Sequence, residues 1–117
     1  MRTHIIILST LLAAVASTAA FAHAFLDHAN PLVGSTVPTA PHEVTLDFTQ
    51  NLEPAFCSVQ VTDDKGARVD QGKPQISGST MRIGVKSLPP GVYKVHWRVL
   101  SVDTHTTEGT FSFHVGQ

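Results

Sequence analysis

The sequence predicts an all-β fold, a small sandwich of two antiparallel sheets, and three observations support it. Apolar residues alternate with polar ones in five separate stretches, which is the pattern of strands with one buried face. Turn-forming sequences separate these stretches, namely Asp63-Asp64-Lys65-Gly66, Ser77-Gly78-Ser79 and Pro89-Pro90-Gly91. Beyond residue 22 no stretch has a convincing helical pattern. Several short alternating strands at such spacing are typical of a two-sheet sandwich.

The five predicted strands are defined by their core-facing residues, which occupy every second position. In chain order these are Val44, Leu46 and Phe48; Cys57, Val59 and Val61; Met81, Ile83 and Val85; Tyr93, Val95, Trp97 and Val99; and Phe111, Phe113 and Val115. We expect Trp97 to be a core anchor, because its large ring belongs to an inward-facing series. Cys57 shares the inward parity of Val59 and Val61, so we expect it to behave as a small hydrophobic residue.

The first 22 residues have the features of a cleaved secretory signal peptide. Arg2 gives a positive start, residues 5–16 form an apolar run, and Ala20-Phe21-Ala22 is a small-residue cleavage pattern. The run is shorter than the roughly 20 residues that span a bilayer, which argues against the alternative of a retained membrane anchor. A second cleavage pattern, Ala22-His23-Ala24, remains open, and cleavage after Ala24 would remove His23. The predicted organisation is a signal peptide over residues 1–22 and one domain over residues 23–117.

Composition limits the function classes that the mature domain can belong to. Removal of residues 1–22 leaves 95 of the 117 residues, enough for one small domain with one core. Seven Lys and Arg then face nine Asp and Glu, a net charge of −2, so the basic patch of a nucleic-acid-binding protein is not expected. The single cysteine, Cys57, cannot form an internal disulfide. Six of the seven histidines lie beyond residue 22, a mild enrichment that is compatible with metal binding.

One short motif carries candidate chemistry, the Asp103-Thr104-His105 sequence between the fourth and fifth predicted strands. In an extended segment, side chains two positions apart leave the same face, so Asp103 and His105 could converge on one ion. On spacing alone the motif is weak, and a plain polar turn is the alternative. The remaining histidines are weaker candidates for metal ligands. His96 and His114 have the parity of solvent-facing residues, and His42 has no partner at ligand spacing, whereas His28 keeps a supporting role open.

Three segments resemble the CopC family of bacterial periplasmic copper-binding proteins, and together they run through nearly all of the mature chain. The segment HAFLDHANP is similar to the start of the family, typically His-Ala-His-Leu followed by polar residues and Pro. The segment VTLDFTQNLEPAFCSVQVTDDKG resembles its Leu-x-Phe-Ser-Glu-Pro-Val-Glu region, the next strand and an Asp-x-x-Gly turn. The segment LPPGVYKVHWRVLSVDTHTTEGTFSF is the most specific match, to Pro-Gly-x-Tyr-x-Val-x-Trp-Arg-Val-x-Ser-x-Asp-x-His-x-x-x-Gly.

The resemblance implies a cupredoxin-like or Ig-like Greek-key β-sandwich with the N-terminal residue beside the Asp-x-His turn. It implies that one Cu(II) ion is bound by His23, through its amine and imidazole, with Asp103 and His105. Two imidazoles, an amine and a carboxylate form the nitrogen and oxygen set that suits tetragonal Cu(II). Gln50 stands where many members have a glutamate, so any axial contribution would be neutral. The methionine-rich loop of some members is absent and Met81 has core parity, so a Cu(I) site is not expected.

The function that the resemblance implies is that of a periplasmic copper carrier or buffer in copper homeostasis or resistance, which is not an enzyme. A CopD-type inner-membrane protein is the implied partner, and we expect the domain to be a monomer. A copper-dependent oxygenase is an alternative, because polysaccharide monooxygenases also use an N-terminal histidine with a second histidine. The small domain and the core parity of Tyr93 argue against it. An Ig-like adhesion or chaperone module is the non-metal alternative, in which Asp103 and His105 are ordinary turn residues.

Overall fold

The structure, a computed structural model, describes residues 24–116. Within that range the chain forms eight β-strands and one short 3-10 turn, Pro54–Phe56. The strands are β1 (Leu26–Asn30), β2 (Thr36–Val37), β3 (Glu43–Phe48), β4 (Ser58–Thr62), β5 (Asp70–Ser77), β6 (Thr80–Val85), β7 (Gly91–Leu100) and β8 (Thr106–Val115). Within residues 24–116, no helix is long and apolar enough to cross a membrane.

The strands form two four-stranded sheets with the core between them. The first sheet has the order β1-β3-β6-β5 and the second the order β2-β8-β7-β4. Every pairing is antiparallel except β2 with β8, which is parallel. Only β5–β6 and β7–β8 pair as sequential hairpins in this part of the chain, and the other connections cross between sheets. The predicted all-β sandwich is confirmed.

The core consists of the inward-facing residues that the alternation predicts. Buried positions in the five predicted strands include Val44, Leu46, Phe48, Val59, Val61, Met81, Ile83, Val85, Tyr93, Val95, Trp97, Val99, Phe111, Phe113 and Val115. The ring of Trp97 packs edge-on against Phe48, with centroids 5.0 Å apart. Cys57 lies just before β4, where it is only half-buried but packs against the core. Its inward orientation is therefore confirmed, whereas its place within the strand is not.

Three strands lack the alternating pattern, and each lies at a sheet edge. The burial of β1 is irregular, with Ala29 its only fully buried residue, and β2 has just two residues. Strand β5 is largely exposed and contains a register shift between Gln71 and Gln75, where Gly72 has φ of 74° and Pro74 lacks an N–H donor. Edge strands bury less side-chain surface, so their sequences carry little of the period-2 signal.

The predicted signal peptide, residues 1–22, and the candidate ligand His23 lie outside the described residues. The boundary at residue 23 and its cleavage therefore stay predictions. Ala24 is fully buried, and the first strand begins two residues later at Leu26.

Candidate metal centre

Asp103 and His105 lie in the loop that joins β7 to β8, and the structure brings their side chains together. Nδ1 of His105 is 3.4 Å from Oδ1 of Asp103. Two donors at right angles, each about 2.0–2.2 Å from a metal, lie about 3 Å apart, so this pair is close to the spacing that a shared ion requires. Both side chains reach solvent, with 33% of Asp103 and 49% of His105 exposed.

The geometric reason for this proximity differs from the one that the sequence suggested. The loop is not extended, because residues 102 and 103 form a turn and Thr104 has φ of 72°. The two side chains therefore meet across a tight reversal of the chain rather than along one face of a strand. The two side chains lie close together, as expected, but the extended conformation behind that expectation is wrong. That they bind one ion stays a prediction.

Three hydrogen bonds that close the loop involve Ser101. The N–H of Ser101 donates to the carbonyl of His105 at 3.0 Å, and the N–H of Thr104 donates to the carbonyl of Ser101 at 2.8 Å. The hydroxyl of Ser101 donates to Oδ1 of Asp103. This bond, and after it the His105 imidazole, holds the pKa of the Asp103 carboxyl below its usual range, so the carboxylate is kept in its metal-binding form.

The N-terminal end of the described chain is held next to this loop. The carbonyl of Ala24 accepts a hydrogen bond of 2.6 Å from the hydroxyl of Thr107, two residues beyond His105. Phe25 exchanges two bonds with Thr49: its N–H donates to the Thr49 hydroxyl at 2.9 Å, and its carbonyl accepts from the Thr49 N–H at 2.9 Å. The segment that follows His23 is thus bound to both sheets at the end of the sandwich where Asp103 and His105 lie.

Gln50 lies between a residue that binds the N-terminal segment and a residue that binds the β7–β8 loop. It follows Thr49, which binds Phe25, and precedes Asn51, whose carbonyl accepts from the N–H of Val102 at 3.0 Å. Gln50 is half-buried. The position agrees with the axial or outer role implied by the resemblance, and that role stays a prediction.

The other histidines that the structure describes are engaged elsewhere or exposed. Nε2 of His28 is 2.9 Å from Oδ2 of Asp47 across the β1–β3 pair, so its supporting role is not seen. His96 on β7 pairs with Glu108 at 3.2 Å and is 43% exposed, and His114 is exposed on β8, as their parity predicts. Within residues 24–116 no group of three or more His, Cys, Asp or Glu side chains forms a metal-binding cluster, so Asp103 and His105 are a pair.

The two sulfur-containing side chains of residues 24–116, Cys57 and Met81, are engaged elsewhere than with Asp103 and His105. Met81 is fully buried, as predicted. The thiol of Cys57 donates to the carbonyl of Glu53 at 3.2 Å, and burial raises its pKa, which disfavours the thiolate that binds metals. Neither side chain presents a soft donor at the Asp103–His105 loop.

Two residues that organise this region were not singled out by the sequence, Ser101 and Thr107. Ser101 precedes Asp103 by two positions, and a local serine-to-carboxylate contact would have been the available signal. The bond from Thr107 to Ala24 spans 83 positions, and no local pattern encodes it.

The fold and the site together define a class: a small two-sheet sandwich whose N-terminal end adjoins a pair of candidate metal ligands. The CopC domain family matches residues 26–116, most of the chain, and the chain belongs to the CopC family. It is 34% identical over 112 residues to copper resistance protein C of Xanthomonas campestris pv. juglandis, covering 88% of this chain and 87% of that protein.

A second relative is much longer than this chain. The copper transport protein CutJ of Bacillus subtilis is 32% identical over 101 residues, which make up 83% of this chain but only 19% of CutJ. The chain thus spans about a fifth of that protein.

Solved structures agree with the family assignment. The crystal structure of CopC from Methylosinus trichosporium OB3b superimposes with a TM-score of 0.71 at 33% identity, covering 80% of this chain and 94% of that one. PcoC of Escherichia coli, described as a methionine-rich copper resistance protein, gives a TM-score of 0.70 at 30% identity, covering 80% and 98%. The present chain contains only two methionines, Met1 and Met81.

Proposed function

We propose that the exported form of this chain is a periplasmic Cu(II)-binding protein that carries or buffers one copper ion. Cleavage after Ala22 leaves His23 as the first residue. Its amine and imidazole, the Asp103 carboxylate and the His105 imidazole then form the ligand set. The family and the copper resistance and copper transport proteins that it resembles support a copper-related role.

The observation that carries this proposal is the hydrogen bond from Thr107 to the carbonyl of Ala24. Within Ala24, only two bonds separate the carbonyl carbon from the backbone nitrogen, and this nitrogen is bonded to the residue before it. Because Thr107 is two residues from His105, this hydrogen bond holds Ala24, the residue that follows the proposed ligand His23, beside the β7–β8 loop. The long-range bond thus favours an N-terminal ligand and a loop ligand acting on one ion.

The donor chemistry favours Cu(II). Imidazole, amine and carboxylate groups suit its tetragonal geometry, and Cu(II) has the highest affinity of the divalent series for a given nitrogen and oxygen site. The lowered pKa of the Asp103 carboxyl favours metal binding in general, because a ligand must be deprotonated to bind. Gln50 or water would supply a neutral axial contact.

A carrier fits the site better than an oxidising enzyme does. The only tyrosine, Tyr93, is buried, and its hydroxyl donates to the carbonyl of Pro89 at 2.5 Å, at the opposite end of β7 from the site. A ligand pair on an exposed loop is accessible to a receiving partner. We propose a CopD-type inner-membrane protein as that partner and a monomeric carrier, on the family resemblance.

The experiment is a Cu(II) titration of the mature protein in competition with a chelator. We expect one ion per chain. His105→Ala should lower the affinity by more than about 100-fold, because losing a ligand exceeds the effect of losing an outer-shell contact. Asp103→Asn should cost less, since an oxygen remains. The matched control is His114→Ala, an exposed histidine at the far end of β8, which should bind as the wild type does. Equal affinity for wild type and His105→Ala would refute the proposal.

A further inference from the structure

Ser101 is a buried polar residue at the point where the strand enters the candidate site. Its exposure is 0%, while the ligand residues two and four positions later reach solvent. It lies at the end of the β7–β8 hairpin, where it also forms an isolated antiparallel bridge with Leu52. A buried hydroxyl must be hydrogen-bonded, so the identity of its partners shows what it holds in place.

Those partners are the two candidate ligand residues. The Ser101 hydroxyl donates to the Oδ1 atom of Asp103 and lies 3.2 Å from the carbonyl oxygen of His105. A hydroxyl carries one proton, and the bond to an ionised carboxylate is the stronger of the two. The backbone N–H of Ser101 independently holds the His105 carbonyl at 3.0 Å. Ser101 therefore binds the side chain of Asp103 and the main chain of His105.

We propose that Ser101 is the positioning residue of the copper site, fixing the Asp103 carboxylate in the orientation that faces His105 before the metal arrives. This inference rests on the proposed function. Without the hydroxyl, the Asp103 carboxylate keeps its contacts with His105 but loses the bond that fixes Oδ1, so copper must order it further on binding. A ligand that is already ordered avoids this loss of side-chain freedom. Ser101 does not touch the ion in this role, because its hydroxyl acts through Asp103.

The test is a double-mutant cycle on Cu(II) affinity, measured by chelator competition with the mature protein. Removing an outer-shell partner typically lowers metal affinity 10–100-fold, and we expect Ser101→Ala to do so. In the Asp103→Ala background the same change should cost less than about twofold, because the side chain that Ser101 orients is already gone. The EPR spectrum of the copper form should change in Ser101→Ala, which a purely structural serine would not cause.

The matched control is Ser35→Ala. The Ser35 hydroxyl also donates to a nearby carbonyl, that of Leu32 at 2.7 Å, and Ser35 binds β8 near its far end, at His114. That is about eight residues from the site, or roughly 26 Å along the strand. Its copper affinity should equal that of the wild type. Thermal unfolding of the metal-free forms shows whether each variant is folded, and Ser101→Gly is the second hydroxyl-free variant if the alanine form unfolds.

The outcomes separate this inference from the proposed function. If Ser101→Ala binds copper as the wild type does while His105→Ala loses binding, Ser101 has no positioning role and the copper site stands. The same conclusion follows if the effects of Ser101→Ala and Asp103→Ala multiply fully. If His105→Ala binds as the wild type does, the copper site itself is wrong.

Discussion

The hydroxyl of Thr107 donates a 2.6 Å hydrogen bond to the carbonyl of Ala24, and this contact links the two ends of the domain's sequence. Ala24 is fully buried, and the bond itself is partly buried. With the two bonds between Phe25 and Thr49, it attaches the N-terminal segment to β8 on one side and to the end of β3 on the other. The chain therefore leaves the described region beside the Asp103–His105 loop.

We expect Thr107→Val to weaken Cu(II) binding about tenfold while keeping the shape of the side chain. Valine lacks the hydroxyl, so the segment that carries His23 loses its tie to β8. The lost hydrogen bond should also lower the free energy of unfolding of the metal-free protein by about 1 kcal/mol. Thr107→Ser, which keeps the hydroxyl, is the matched control and should retain most of the affinity. Unchanged copper affinity in Thr107→Val would show that this bond does not position a ligand.

We expect one glycine added before His23 in the mature protein to weaken Cu(II) binding strongly, although every side chain is unchanged. A free α-amine has a pKa of about 7.7–8.0, so copper displaces its proton at neutral pH. A peptide nitrogen gives up its proton far less readily. Affinity should also fall as the pH drops, because protons compete for the amine and the imidazoles. Chelator competition and EPR on both forms measure the effect, and identical spectra would exclude the amine as a ligand.

We expect negligible Cu(I) binding in the presence of a Cu(I) chelator. Cu(I) prefers thioether and thiolate donors. Met81 is fully buried, and the Cys57 thiol has a raised pKa and donates to the carbonyl of Glu53. Cys57→Ser and Met81→Leu should leave Cu(II) affinity unchanged. Tight retention of Cu(I) that disappears in either variant would mean that a sulfur donor becomes accessible in solution.

We expect Gly109→Ala to destabilise the domain, because Gly109 pairs with Trp97 across β7 and β8 and the indole occupies the space beside it. A Cβ atom at Gly109 would lie 2.6 Å from Cζ2 of Trp97. Overpacking of this kind costs about 1–3 kcal/mol, which lowers the Tm of a domain this size by several degrees. Gly84→Ala is the control, since its Cβ would meet nothing nearer than 3.7 Å. Thermal unfolding followed by tryptophan fluorescence compares the two, and equal Tm values would contradict the prediction.

The sequence was most informative where a strand buries one face. The alternation of residues such as Leu46 and Phe48, or Val95 and Trp97, predicted β3 and β7, because burial on one side imposes the period. Strands β1, β2 and β5 escaped prediction because these three edge strands are short, polar or irregular, whereas the edge strand β4 keeps its alternation and was predicted.

The candidate site also has features that the sequence predicts and features that it does not. The proximity of Asp103 and His105 could be predicted because the two residues are close in sequence, although the spacing indicates an extended chain where Thr104 forms a turn. The roles of Ser101 and Thr107 could not be predicted. The first depends on how a hairpin loop closes, and the second on a contact between residues 83 positions apart. Hydrophobic periodicity reports burial and contains no information on such contacts.

The contact between Ala24 and Thr107 has a further consequence for a chain whose single cysteine leaves it without a disulfide. A copper ion held by His23 and His105 would close nearly the same loop, and would act as a reversible cross-link. In the chain-entropy description of a cross-link, tying a loop of about 80 residues stabilises a fold by about 4–5 kcal/mol. A metal tie provides such a constraint only while the cargo is bound. Proteases that cleave transiently opened chains would then remove the copper-free protein faster than the copper-bound protein, so the lifetime of the protein would depend on its copper content.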